Sequence, residues 1–576
     1  MSVGRLVLGA HGGPSAESAP DPDGVELYHR TYTTLLRSSG ETHLRVLELS
    51  HRAMHSSLHP MAGDLRLDLG AFLYAVRRLP DGIVGGELVL LGQDHDVFAA
   101  SGIDLSGWRE AEAVARRRHW FDSGTGTLAV LLASASDVDD LVPTLVAFQI
   151  EWNKLNVLLR TSHGDEPAAA VECAAALGGE LEDWRSLAQA WGAHFAQRLQ
   201  VIAARRLDLR IRMLGGTHIG YARLTRKWWA AAHACLADEN LAGRRTYFVS
   251  SNTHALANLV TGIAREREAE LVKFVQRHGT DDLREELEAF REGDTPGSWE
   301  NLLYFVARDY FDVTEERSAE RRRAERAAGV VHLRARTSLR VPVQIIALDR
   351  LVPERLDPRL GTIDGGHLRA SNAVIVNIDY PLGLAAYNIL REVAIDVENL
   401  RGVYLLGKAA TLNADVGDVM ISNVVYDEHS STTFWLDNAF GVDDIQPDLR
   451  FGTGLDNQRA VTVRSTFLQN RTYLDAYYRE AFTVIEMEAG PYCSAIYEIA
   501  DLERHPVGEA VNFSKLPIDF GVIHYASDTP FTQARTLGAR GLSYFGMDST
   551  YAASLAILRR IFMLEGVERQ PAMNFS

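Results

Sequence analysis

The chain has 576 residues, 46% of them hydrophobic and 23% charged, the balance of a folded globular protein and not of a disordered one. Its formal net charge of −17 argues against a binder of the nucleic-acid backbone, which carries a basic surplus, but leaves room for one small anion in a local basic pocket. No apolar run approaches the roughly 20 residues of a spanning helix, so no membrane partner is expected.

At about 150 residues per domain, the length allows about three to four domains. Cys173, Cys235 and Cys493 lie far apart, which excludes a CxxC zinc site and a disulfide framework. The 59 cations include five Lys, namely Lys154, Lys227, Lys273, Lys408 and Lys515, so each retained Lys stands out against Arg as the default.

Residues 1–160 mix strand and helix patterns. Arg5–Ala10 reads as a first strand and not a signal peptide, and the cytoplasm is the expected compartment. His11-Gly12-Gly13 has the composition of an oxyanion or phosphate loop, but also of ordinary turn punctuation. His51, His55 and His59 recur at i, i+4 and i+8. On a helix they share a face, where two could take a metal, although a hydrogen-bonding or solvent-exposed stripe is preferred. Gln93–Asp96 carries ligand-type side chains without a partner and is read as a loop. Thr127–Ala133 is short, apolar and bounded by Gly and Ser, the mark of a buried strand. Asp139–Leu159 follows with helical spacing.

Residues 161–329 read as mainly helical. Trp184, Leu187, Trp191, Phe195 and Leu199 recur at i+3/i+4 and would form one helix face. Thr246–Ser250 is strand-like, and Ser251–His254 opens a helix as an N-cap or, less favoured, an anion site. Glu315–Ala328 is a charge run, expected to be a solvated helix or linker, and the main domain boundary is placed after it.

Residues 330–576 alternate strands with helices, which implies a mainly parallel or mixed central sheet flanked by helices. The chain as a whole is therefore expected to be α/β. It would have an α/β block, a mostly helical block and then this last domain. Ligands of such sheets sit at the carboxyl ends of the strands.

Three segments of the last block carry candidate chemistry. In Val403–Asp418, a strand is expected to run into a glycine-containing loop with Gly407 and Lys408, which suits an anionic or hydroxyl-rich ligand or is simply a turn. In Val484–Pro491, Glu486 and Glu488 bracket Met487 where a strand gives way to a helix. Strand alternation puts both carboxylates on one face, where they could accept sugar hydroxyls or stabilise a helix N-terminus. In Val522–Phe531, an apolar strand ends at Ser527-Asp528-Thr529-Pro530. Asp528 is read as a cap or, if desolvated, as a proton donor.

In this order, the glycine segment, the EMEA segment and the late SD pair resemble the purine nucleoside phosphorylase/nucleosidase superfamily. Val374–Ser422 also looks like the corresponding region, so the resemblance covers about 240 residues. The large N-terminal extension and the SDTP context are similar to those of the AMP nucleosidases. The first 330 residues resemble no family.

The resemblance implies a nucleoside phosphorylase-like domain, preceded by an α/β block, that cleaves the N-glycosidic bond of a purine nucleoside or nucleotide. It makes Asp528 the acid that protonates a ring nitrogen of the leaving base, and Glu488 the ribose ligand. Met487 would pack on the sugar, Phe467 would stack on the base, and Gly407 and Lys408 would lie at the phosphate or water site. Glu486 and Ser527 complete the expected substrate contacts.

Phosphorylases of this superfamily usually carry Arg two residues before the loop glycine and Ser after it. Here Leu405 and Lys408 stand there, and Ala410 replaces a second glycine. Hydrolysis is therefore preferred over phosphorolysis, with inorganic phosphate the alternative co-substrate and no other cofactor expected. Asp349 and Glu354 are candidate bases for the water. The superfamily commonly oligomerises, so a homo-oligomer is expected. The rival reading is a nucleotide sensor that binds without turnover.

Overall fold

A computed structural model of the chain describes residues 23–38, 40–162, 168–334, 337–500, 504–530 and 544–567. Arg5–Ala10 and His11-Gly12-Gly13 lie outside the described residues. The fold is α/β and is organised by two sheets.

The first sheet holds β1 (Thr42–His43), β2 (Leu88–Gly92), β3 (Arg109–Ala113), β4 (Arg116–Asp122), β5 (Thr127–Leu131) and β6 (Arg210–Met213), in the order β1-β6-β2-β5-β4-β3. β2 is parallel to β5 and β6, while β3, β4 and β5 pair antiparallel. The TLAVL run forms β5, as its short apolar pattern predicts. The helix Ala135–Thr161 follows directly. Asp137 accepts from the N–H groups of Ala133 and Ser134, at 2.7 and 3.2 Å, and so fixes the start of this helix. It is buried on nearly all sides, and Phe148 stacks on Phe72 of the helix Leu69–Arg78.

The second sheet runs β16-β13-β12-β14-β15-β11-β7-β10-β9-β8, with β17 beside β11 and β12. Its strands are β7 (Arg245–Ser251), β8 (Val330–Leu333), β9 (Val343–Ala347), β10 (Ala373–Asp379), β11 (Leu400–Thr411), β12 (Val419–Asp427), β13 (Thr432–Trp435), β14 (Gly454–Thr462), β15 (Val484–Glu486), β16 (Ala510–Asn512) and β17 (Asp519–Asp528). Pairing is mixed: β10, β7, β11 and β17 run parallel, while β9 opposes β10 and β15 opposes β11. β11 pairs with β17, β17 with β12, β12 with β14, β14 with β15, and β15 again with β11. The five strands thus close into a ring. Closure needs curvature, and the register of β11 against β17 shifts between Ala409 and Ala410.

Three expectations are corrected. The boundary near residue 329 does not separate the sheets, because β7 of the middle segment lies between β10 and β11 at the centre of the second sheet. Its Thr246-Tyr247-Phe248-Val249 run is buried on both faces, as a central parallel strand requires. The Trp184–Leu199 pattern is two helices, Leu181–Trp191 and Phe195–Ala204, broken where Gly192 takes a positive φ of 55°. The helix carrying His51 ends at Ala53, and His55 is exposed with φ of 48°, so the three histidines share no face.

Candidate functional site

A cleft of about 980 Å³ opens between the two sheets. The carboxyl ends of β7, β10, β15 and β17 and the middle of β11 form one wall, the position expected for ligands of an open α/β sheet. The β3–β4 hairpin, the end of β5 and Arg78 form the other.

Seven of the residues expected at a site converge on this cleft: Gly407, Lys408, Glu486, Met487, Glu488, Ser527 and Asp528. Gly407 and Lys408 do not lie in a loop. β11 leaves β7 after Leu405 but continues beside β17 to Ala410, so both residues are within a strand. Ala410 sits opposite Asp528, which places the SD segment directly beside the β11 bulge. The Ser527 hydroxyl donates to the Ala409 carbonyl at 3.4 Å and ties the two strands at that point.

The two glutamates differ in role. Glu486 is used up internally. Its Oε2 accepts the N–H groups of Glu488 and Ala489, each at 2.7 Å, and its Oε1 accepts the Thr462 hydroxyl. It caps the helix Ala489–Ala500 at the end where acidic groups are favoured. Strand alternation does not relate the pair, because the strand ends at Glu486 and Glu488 lies in the turn. Glu488 turns towards the Gly383 N–H, 3.4 Å away. Burial, with Glu486 beside it, pushes the Glu488 carboxyl up to about 8, against the weaker pull of the Gly383 N–H and of Arg116. Met487, between them, is half-buried against Ala410, Val461 and Ile485.

Lys408 keeps contact with water in the cleft. Enclosure by the walls lowers its ammonium pKa, while the charge of Asp528 acts to raise it. Tyr380, which the sequence did not single out, covers Gly407: a β-carbon there would collide with its ring and hydroxyl.

Phe467 does not reach the cleft. It is fully buried in the core of the first sheet, with its ring 5.3 Å from Tyr74 and 5.9 Å from His51. Nor do the candidate bases lie there. Asp349 pairs with Arg244 at 2.9 Å, and Glu354 is exposed in a short helical turn. His51 and His59 form a buried relay, 3.0 Å apart, that ends on Glu151 at 2.7 Å from His59. The Gln93–Asp96 segment is tied down: Gln93 donates to the Thr217 carbonyl, and Lys227 pairs with Asp94 and Asp96. Asn252 caps the helix after β7 and also lines the cleft.

The opposite wall is basic. Arg116 and Arg118 both bind Asp140, the first in a bidentate manner at 2.9 and 3.0 Å, and Arg118 also binds Asp137 at 2.8 Å. Burial opposes ionisation of Asp140, but the two arginines outweigh it and hold its carboxyl well below the usual range. Arg117 crosses to the other half, reaching Asp379 at 2.5 Å and the Tyr380 carbonyl at 2.8 Å. Nothing in the sequence marked these residues, because one Arg among so many carries no signal.

Asp427, His429 and Ser136 form a second chain, with His429 Nδ1 2.9 Å from Asp427 and Nε2 3.4 Å from Ser136 Oγ. The order is that of a nucleophilic triad. Ser136 is fully buried and accepts the Leu384 N–H at 2.9 Å, so the chain clamps the two halves together.

The chain is similar to several solved structures. It is 14% identical to a 5′-methylthioadenosine/S-adenosylhomocysteine nucleosidase from Colwellia psychrerythraea 34H in complex with adenine, over 42% of this chain and 88% of that one, with TM-score 0.28. It is 11% identical to purine nucleoside phosphorylase from Toxoplasma gondii in complex with immucillin-H, over 57% and 94%, with TM-score 0.29. For the nucleosidase from Campylobacter jejuni the values are 10%, 55% and 99%, again with TM-score 0.29. No curated protein matches the chain. No helix among the described residues is long and apolar enough to cross a membrane. A family model described as a family of unknown function (DUF6909) matches residues 44–563, nearly the whole chain, and the chain belongs to that family.

Proposed function

We propose that the cleft cleaves the N-glycosidic bond of a purine nucleoside or nucleotide, with water as the nucleophile. The observation that carries this reading is the convergence of Lys408 from β11, Asp528 from β17, and Met487 and Glu488 from the turn after β15 on one cleft at the strand ends. Asp528 gives a proton to a ring nitrogen of the base as the C1′–N bond breaks. The departing pair of electrons goes to the base, and water adds its oxygen to C1′. The proton that water loses returns to Asp528 through solvent. Glu488 accepts the ribose hydroxyls, and its ionisation is favoured as positive charge develops on the sugar. Met487 offers an apolar face to the ring.

Two residues move out of the expected machinery. Glu486 holds the turn that carries Glu488 and does not bind sugar itself. Phe467 lies outside the cleft, so the base needs another neighbour, and two tyrosines line the cleft, Tyr380 and Tyr525. Lys408 holds the position that admits water or, in the alternative reaction, inorganic phosphate.

The test is chromatographic detection of free base from a panel of purine nucleosides and their 5′-monophosphates, each with and without phosphate. Release without phosphate that disappears in Asp528→Asn supports hydrolysis. Release only with phosphate makes the protein a phosphorylase. Ligand binding with no release from any compound supports the sensor reading, which the neutral state of Glu488 favours.

A further inference from the structure

Arg78, Arg116 and Arg118 face the cleft together with two carboxylates between them, Asp137 and Asp140. Arg116 and Arg118 take both. Asp137 is further occupied by the N–H groups of Ala133 and Ser134. Arg78 is left with no carboxylate. It is 2% exposed, one Nη donates to the Tyr74 carbonyl at 3.2 Å, and its guanidinium lies 3.3 Å above the Tyr74 ring. Arg78 Nε and Arg118 Nη1 are buried and have no hydrogen-bond partner among the described residues. Arg78 shares the charge of Asp140 with two other arginines and pairs with no carboxylate directly, so this buried guanidinium is under-compensated and the arrangement calls for an anion.

The cluster is built. Phe467 packs edge-on against Tyr74, and Tyr74 carries Arg78, so the core of the first sheet sets the guanidinium in place. Arg116 and Arg118 lie two residues apart on β4, on one face of the strand, and are locked by Asp140. Arg116 lies close enough to Glu488 for each to feel the other's charge, so the cluster borders the ribose position of the opposite wall.

We infer that Arg78, Arg116 and Arg118 form a subsite for the phosphoryl group of the substrate, so that the chain acts on a nucleotide and its first half supplies the selectivity. This rests on the glycosidase reading for the base and ribose, but not for the anion. Planar guanidinium forks match phosphate oxygens, and the unused Nε and Nη donors are the ones such an oxygen would take.

The experiment is calorimetric titration of the full-length Asp528→Asn chain with adenosine and guanosine, their 5′-monophosphates and inorganic phosphate. The expected result is binding of a monophosphate about 10- to 100-fold tighter than its nucleoside. Arg78→Gln should remove this preference and leave nucleoside affinity unchanged. Where that variant does not fold, pyrophosphate decides on the parent chain, because it should compete with the monophosphate and leave nucleoside binding intact. Equal affinity for nucleoside and monophosphate overturns the inference. So does tight inorganic phosphate without a monophosphate preference. A strong monophosphate preference with no base released by the wild-type chain supports the subsite and removes the glycosidase reading. Base released equally from nucleosides and nucleotides does the reverse.

Discussion

The hydroxyl of Tyr380 fills the space that a β-carbon on Gly407 would need. Tyr380 leaves β10 at its carboxyl end, and Gly407 lies in β11 on the far side of β7, so this contact spans the centre of the cleft wall. Glycine is required here for the close approach and not for its φ. Gly407→Ala is expected to push Tyr380 into the cleft and lower kcat/KM by roughly 100-fold, as displacements of about 1 Å in a site can do. Adding Tyr380→Ala should recover thermal stability but not activity. Full activity in the single variant would show that Tyr380 is not part of the binding wall.

Glu488 gives opposite signs for stability and activity. Its folded-state pKa, about 8, is above that of an ordinary glutamate, so the folded chain holds a proton that the unfolded chain releases. Stability from this group is complete at acid pH and is lost as pH rises towards and through 8, by an amount on the order of a few kcal/mol. The proposed sugar contact needs the carboxylate, so on that reading kcat/KM should rise over the same window. Glu488→Gln should flatten both trends between about pH 5 and pH 8, raising the thermal midpoint relative to wild type at the alkaline end while lowering turnover. Parallel stability curves for the two proteins would refute the assignment.

Much of the second sheet was legible because its strands are short, apolar and punctuated. The apolar strand expected to end at Ser527-Asp528 is β17, Asp519–Asp528. The order of the glycine, EMEA and SD segments also brought seven residues to one cleft. Long-range pairing was not legible. β7 has the local signature of a strand, but nothing local says that it enters a sheet whose other strands begin 79 residues later, at β8 (Val330). The continuation of β11 through Gly407 escaped for a related reason: the glycine that signals a turn in isolation marks a close approach when Tyr380 covers it. Arg78 and Arg116–Arg118 were hidden by composition, since Arg is the default cation of this chain. Phe467 illustrates a general limit, because an aromatic residue at a plausible offset from a motif serves a core as readily as a ligand.

The division of labour between the glutamates is testable. Glu486→Gln keeps the shape but weakens acceptance of three donors, the N–H groups of Glu488 and Ala489 and the Thr462 hydroxyl. The expected cost is about 1–2 kcal/mol, read as a lower thermal midpoint. Glu486→Ala should cost more, because buried N–H groups lose their partner. Retained stability in both variants, with a large loss of ligand affinity, would return Glu486 to the binding set.

Ser136 offers a last discrimination. The Asp427–His429–Ser136 chain has the connectivity of a hydrolase triad, but its serine is enclosed and already accepts the Leu384 N–H. A serine nucleophile needs a reachable Oγ, and a fully buried hydroxyl does not offer one. Ser136→Ala should therefore cost about 1–2 kcal/mol through the lost acceptor, since the Leu384 N–H is left without a partner at the junction of the two halves. The proposed glycosidase chemistry should survive at temperatures below the new midpoint. A fluorophosphonate probe, which labels accessible nucleophilic serines, should leave the wild-type chain unmodified at Ser136. Labelling there, abolished by His429→Ala, would mean that the clamp opens in solution and that this triad performs a chemistry of its own.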